Sequence, residues 1–133
     1  MNALQQYQQV NTQTSIVDAD PHRLIQLLLD GALERIHMAK NRIQAEDYAG
    51  KATLIGKSMD IVSALRGFLD FEKGGELAAN LEGLYDYIER GLLDASVRND
   101  VDRLDEMARL LRTIKEGWDG IREEALELTR NAG

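Results

Sequence analysis

Residues 54–71, LIGKSMDIVSALRGFLDF, limit the possible folds more than any other stretch of the chain. Two apolar series run side by side at heptad spacing, Leu54/Ile61/Phe68 and Ile55/Val62/Leu69, with Leu65 between them and Met59 on one flank. On a helix these positions cover about 180° of the circumference, against the ~100° stripe that a helix facing one core needs. Such a helix must be packed from two sides. One stripe belongs against sibling helices. The other needs a further partner, from a terminal segment of this chain or from another protein.

The flanking sequence supplies the siblings. Asp20 can cap exposed helix amides, and Pro21 at the first helical position loses nothing by lacking its N–H. Leu24, Ile25, Leu28, Leu29, Ala32, Leu33, Ile36, Ala39 and Ile43 then form one apolar face ending near Ala45. Asp47 caps the second helix, expected to run to about Phe71 and to stop at Lys73-Gly74-Gly75, where glycine tolerates a left-handed conformation. A third helix runs from Glu76 to about Ser96. Leu77, Leu81, Leu84, Tyr85, Ile88 and Leu92 share one side of it, while Tyr87 and Leu93 fall outside that face. After the break at Arg98-Asn99-Asp100, a fourth helix begins at Val101. It buries Leu104, Met107, Ala108, Leu111, Ile114, Trp118 and Ile121, and frays beyond Leu128.

The connections are only a few residues long, so successive helices are antiparallel. The expected fold is all-α: an up-down-up-down four-helix bundle over residues 20–133, preceded by an N-terminal arm over residues 1–19. The arm is rich in glutamine, but Leu4, Tyr7 and Val10 recur every third residue, a face suited to lying in a groove of the bundle.

Composition narrows the function. The chain has 133 residues and no cysteine, enough for one sizeable core without disulfides or thiolate metal sites, and compatible with the reducing cytoplasm. Its net charge of -7 argues against nucleic acid or an anionic membrane surface as main partner. No stretch approaches ~18 uninterrupted apolar residues, so no membrane insertion is expected, and the first residues show no signal-peptide pattern.

Chemical motifs are sparse. Glu34-x-x-His37 has the ligand spacing of di-iron bundles, but those need a second such pair and two more inward glutamates. No metal and no cofactor is expected. Gly56-Lys57-Ser58 lacks the leading glycine of a phosphate loop, since Lys51 stands there, and it sits inside a helix. His37 followed by Lys40 matches part of the pattern of histidine phosphotransfer domains, which are also four-helix bundles, but Asn41 replaces the glycine that usually follows. Phosphotransfer through His37 is the alternative reading. No nucleophile set for catalysis can be assembled, so the chain is not expected to be an enzyme.

What remains is interaction through surplus apolar surface, with a generously buried core helix as the equal alternative for the double stripe of residues 54–71. Gly56, Gly67, Gly83, Gly91, Gly117 and Gly120 fall within the expected helices, each at a cost of about 1 kcal/mol against alanine in a helix interior. They suit close helix approach, or shallow places where another backbone can lie. Grooves of this kind accept amphipathic helices through spaced apolar anchors.

The order and spacing of several segments resemble the flagellar secretion chaperone family, FliS, nearly end to end. They are the Tyr7 arm with Val10; Asp20-Pro21-His22-Arg23-Leu24-Ile25-Gln26-Leu27-Leu28-Leu29-Asp30-Gly31-Ala32; Gly74-Gly75-Glu76; Asn80-Leu81-x-x-Leu84-Tyr85-x-Tyr87; Asn99-Asp100; and the stretch from Leu110-Leu111 to Trp118. Leu29 departs from the tyrosine often found at its place in the family. The resemblance implies a cytoplasmic bundle that binds the disordered C-terminal region of flagellin and prevents premature polymerisation before type III export. The client would turn partly helical in apolar grooves, and the arm would cover or flank the site when it is empty.

Carried onto this chain, the partner-binding residues are Ile55, Ile61, Val62, Leu65 and Phe68 of the second helix, with Leu77, Asn80, Leu81, Leu84 and Tyr87 of the third and Tyr7 of the arm. Export-apparatus or regulatory proteins are further candidate partners, and exposed apolar surface favours a homodimer when the client is absent.

Overall fold

The computed structural model describes residues 20–120. The arm with Tyr7, the continuation from Ile121 and the fray beyond Leu128 lie outside them. Among the described residues four helices follow one another: α1 (Pro21–Gln44), α2 (Tyr48–Gly67), α3 (Phe71–Arg98) and α4 (Val101–Asp119). α1 packs on α2 and α4, and α3 packs on the same two, which is the up-down-up-down arrangement expected from the short connections.

Each helix is started by an aspartate. Asp20, Asp47 and Asp100 accept from the backbone N–H groups of Arg23 (2.8 Å), Gly50 (3.0 Å) and Arg103 (3.0 Å). Asp70 accepts from Glu72 and Lys73, both at 3.0 Å. A short carboxylate satisfies amides that have no intrahelical partner and interacts favourably with the positive end of the helix dipole. α3 ends on Asn99, whose φ of 52° places it in the left-handed region that closes helices.

The second helix is shorter than its apolar pattern suggests. It ends at Gly67 rather than near Phe71, and Phe68 is its C-cap. The last turn tightens, with Phe68 N–H donating to Leu65 O (3.3 Å) and Leu69 N–H to Arg66 O (3.2 Å). Asp70 then starts α3 before the glycine pair, so Lys73-Gly74-Gly75 breaks the first turn of α3 instead of ending α2. Gly75 holds φ 52° and ψ -128°, a conformation suited to glycine. The periodicity was misleading here because Leu69 remains buried after the chain has left the helix.

Both stripes of α2 enter the bundle. Ile55, Ile61, Val62, Leu65 and Leu69 are buried in the core, and Leu54, Met59 and Phe68 are half-buried against it. The wide stripe is therefore accounted for by sibling helices, with buried polar groups fixing their register. Ser58 Oγ donates to Ala32 O of α1 (3.1 Å), and Lys51 Nζ donates to Ser96 O of α3 (2.6 Å). Of the helix glycines, Gly91 marks a close approach, since a Cβ there would collide with the side chain of buried Met107. Gly56, Gly67, Gly83 and Gly117 face open space, and Gly120 is the C-cap of α4 rather than part of the helix.

Candidate functional site

Near their connecting turn, α3 and α4 are held closely together. Met107 packs over Gly91. On the flank, the Tyr87 hydroxyl donates to Glu106 Oε2 (2.5 Å), while Arg103 Nη1 donates to Glu106 Oε1 (2.7 Å) and to the Tyr87 oxygen (3.1 Å). The Tyr87 hydrogen bond, helped by Arg103, holds the Glu106 carboxyl below its ordinary pKa.

Towards the far end of the pair, the two helices face each other across an apolar cavity of about 230 Å³. α3 contributes Leu77, Leu81 and Tyr85, and α4 contributes Thr113, Ile114, Gly117 and Trp118. Ile25, Leu65 and Leu69 complete the lining. Gly117 leaves open space where a side chain would stand. At the rim, Leu77 is 53% exposed. An apolar cavity of about 150 Å³ already accommodates benzene, so this one has room for a large aliphatic or aromatic side chain.

Trp118 is a fixed part of the wall. Its Nε1 donates to His22 O (3.0 Å), and His22 Nε2 donates to Trp118 O (2.8 Å). The two rings stack, with centroids 5.3 Å apart and planes 10° from parallel. Beside them, Gln26 Nε2 donates to Asp119 Oδ1 (2.6 Å), and Lys115 Nζ reaches Asp119 (2.9 Å) and Asp30 (3.5 Å). The hydrogen bonds from Lys115 and then Gln26 hold the Asp119 carboxyl below its ordinary pKa. The start of α1 and the end of α4 are thus clasped together at the cavity.

The residues expected to bind a partner divide into groups. Leu65, Leu77 and Leu81 line the cavity. Ile55, Ile61 and Val62 lie in the core and support the bundle rather than presenting an open face. Phe68 and Leu84 are half-buried against the core, and Asn80 is exposed. Tyr87 is half-buried, with its hydroxyl committed to Glu106. Tyr7 is outside the described residues.

Ile25, Tyr85, Thr113, Ile114 and Trp118 were not expected at a site, while Leu69 belonged to the surplus stripe and Gly117 to the helix glycines suited to a passing backbone. Tyr85, Ile114 and Trp118 have the spacing of ordinary core positions, and glycine inside α4 was the available signal. For the phosphotransfer alternative, His37 is exposed, but Lys40 is engaged in an ion pair with Asp105 of α4. Among the described residues, no helix is long and apolar enough to cross a membrane.

The model of the family described as "Flagellar protein FliS" matches residues 3–125. The chain is 49% identical to the flagellar secretion chaperone FliSB of Pseudomonas aeruginosa, over 91% of this chain and 96% of that protein. It is 36% identical to the flagellar secretion chaperone FliS of Vibrio cholerae, over 96% of this chain and 93% of the relative. It is 38% identical to the FliS of Salmonella typhimurium, over 93% of each chain.

Proposed function

The chain belongs to the FliS family of flagellar secretion chaperones, and from that premise we propose that it holds the C-terminal segment of flagellin before export. The observation that carries this reading is the apolar cavity between α3 and α4, open at a rim where Leu77 is exposed. An amphipathic client helix lying along these two helices would insert an apolar anchor between Leu81 and Ile114, with its backbone over Gly117. Segments of this kind are disordered when free, and folding on the chaperone buries the surface they would use in polymerisation. The role needs no nucleotide, metal or catalytic group, and it is exercised in the cytoplasm.

The face formed by Leu4, Tyr7 and Val10 covers the cavity when flagellin is absent, since the arm joins α1 at Asp20, next to the His22–Trp118 clasp. Deleting residues 1–10 should keep the fold and shift flagellin affinity modestly. A general loss of solubility would instead make the arm structural.

Calorimetry of the full chain with a peptide of the flagellin C-terminal region, at several temperatures, tests the proposal. Binding with a large negative heat-capacity change is expected from coupled folding and apolar burial. Absence of both heat and co-migration would overturn it.

A further inference from the structure

α3 and α4 touch at one level and stand apart at another, and a glycine fixes where they touch. Gly91 is buried inside α3, in ordinary helical geometry and with no turn to make. Glycine at such a place weakens a helix relative to alanine, so its use there is to let another group come close. That group is Met107 of α4, which is fully buried. A methyl on Gly91 would fall 2.8 Å from Met107 Cε, 3.1 Å from Cγ and nearer still to Sδ. Because Cγ is among these atoms, a swing of the terminal methyl alone does not make room. At the same level Tyr87 and Arg103 meet on Glu106 and hold the outer flank.

Ten residues before Gly91 and seven after Met107, Leu81 and Ile114 face each other across the cavity. The two helices therefore form a wedge, closed at Gly91 and open ~10–15 Å away along their axes. Past the opening, the His22–Trp118 hydrogen bonds tie the end of α4 to α1. With α4 fixed there, any spreading at Met107 turns it about Trp118. Ile114 is four residues from Trp118 and Met107 eleven, so the cavity wall moves by roughly a third of that spreading. Relieving the methyl clash takes about 1 Å, since packed carbon atoms settle ~3.5–4.0 Å apart. Dispersion attraction falls steeply over such distances, so a wall displaced by a few tenths of an ångström holds its occupant less well.

We propose that Gly91 is a positioning residue for client binding: by letting Met107 close the root of the wedge, it sets the width of the cavity that holds the flagellin anchor. The inference rests on the flagellin reading above and adds to it a residue that the client does not touch.

The test is a double-mutant cycle in the full chain, with Gly91→Ala, Met107→Ala and both together. Each is titrated with the C-terminal flagellin peptide by calorimetry, at a temperature where circular dichroism shows the variant folded. Gly91→Ala is expected to lower peptide affinity about 3- to 10-fold, the range of a packing mismatch at one side chain. In the Met107→Ala background the same change should be neutral within about 2-fold, because the colliding atoms are gone. A role confined to core packing would show this coupling in the melting temperatures alone.

Equal affinity of the parent and folded Gly91→Ala overturns the assignment. An equal fall in both backgrounds also overturns it, since the effect then does not pass through Met107. If Gly91→Ala does not fold, Met107→Ala carries the test: α4 settles inward at the root, and affinity should fall about 3-fold, equal affinity again overturning the assignment. If the parent itself does not bind, the flagellin reading falls and the inference falls with it. If the parent binds and the variants bind equally, only the role of Gly91 is lost.

Discussion

Substitution of Gly117 should make the free protein more stable and the client-bound state weaker. Gly117 lies in the last turns of α4, lines the cavity, and has no atom within 4 Å of the place where a Cβ would stand. Alanine there removes the helix penalty of glycine, worth about 1 kcal/mol. Leucine removes most of the same penalty and also directs an aliphatic group into the cavity. Full burial of such a side chain contributes roughly 1.5–3 kcal/mol, and about half of that is expected in a cavity open at one rim. The total for Gly117→Leu is therefore about 2 kcal/mol. For a chain of this size each kcal/mol moves the melting temperature by roughly 3–5 °C, so Ala should raise it by about 3–5 °C and Leu by about 6–10 °C. Gly83 also faces open space but lies off the cavity, and Gly83→Ala is the control. It should stabilise as Gly117→Ala does and leave flagellin binding unchanged. Calorimetric melting and peptide titration of the three variants read both effects. If Gly117→Leu is more stable and still binds the peptide as the parent does, the client does not use this cavity. If Gly117→Ala melts below the parent, the open space inferred at Gly117 is wrong.

Other expectations follow from burial and hydrogen bonding. Ile61→Asp places a carboxylate at a position that is 4% exposed in the core, a loss of several kcal/mol that should abolish the cooperative far-UV melting transition; a folded variant would put Ile61 on a surface. Trp118→Phe removes the donor to His22 O and should cost about 1–3 kcal/mol in urea unfolding, and an unchanged midpoint would mean that the clasp adds nothing. Glu106 has a folded pKa below its unfolded value, so its contribution to stability is present above the unfolded pKa and is lost as pH falls through the folded one. Tyr87→Phe should move the Glu106 titration, followed by carboxyl NMR, upward towards the ordinary value. An unmoved curve would assign the depression to Arg103 alone.

The local chemistry of this fold was legible residue by residue. Asp20 and Asp47 announce two helix starts, Arg98-Asn99-Asp100 marks the break before the last helix, and the apolar spacing between these points assigns helix and inward face. Those signals act within one or two turns, so they survive in any tertiary context. Asp70 was missed for the same physical reason that the others were found: its cap is local, but Phe68 and Leu69 before it and Phe71 after it continue an apolar pattern across the turn.

What the sequence determined by itself is therefore four helices, their inward faces and an antiparallel order. Only the tertiary structure decided which apolar surface the described residues leave open. The double stripe of α2 looked like the surplus, yet most of it packs against sibling helices while Leu65 and Leu69 reach the opening, which lies between Leu81 of α3 and Ile114 of α4. Periodicity states which residues share a face of one helix. How far two facing helices stand apart depends on contacts distant in sequence, here Gly91 under Met107 at one end and the His22–Trp118 clasp at the other.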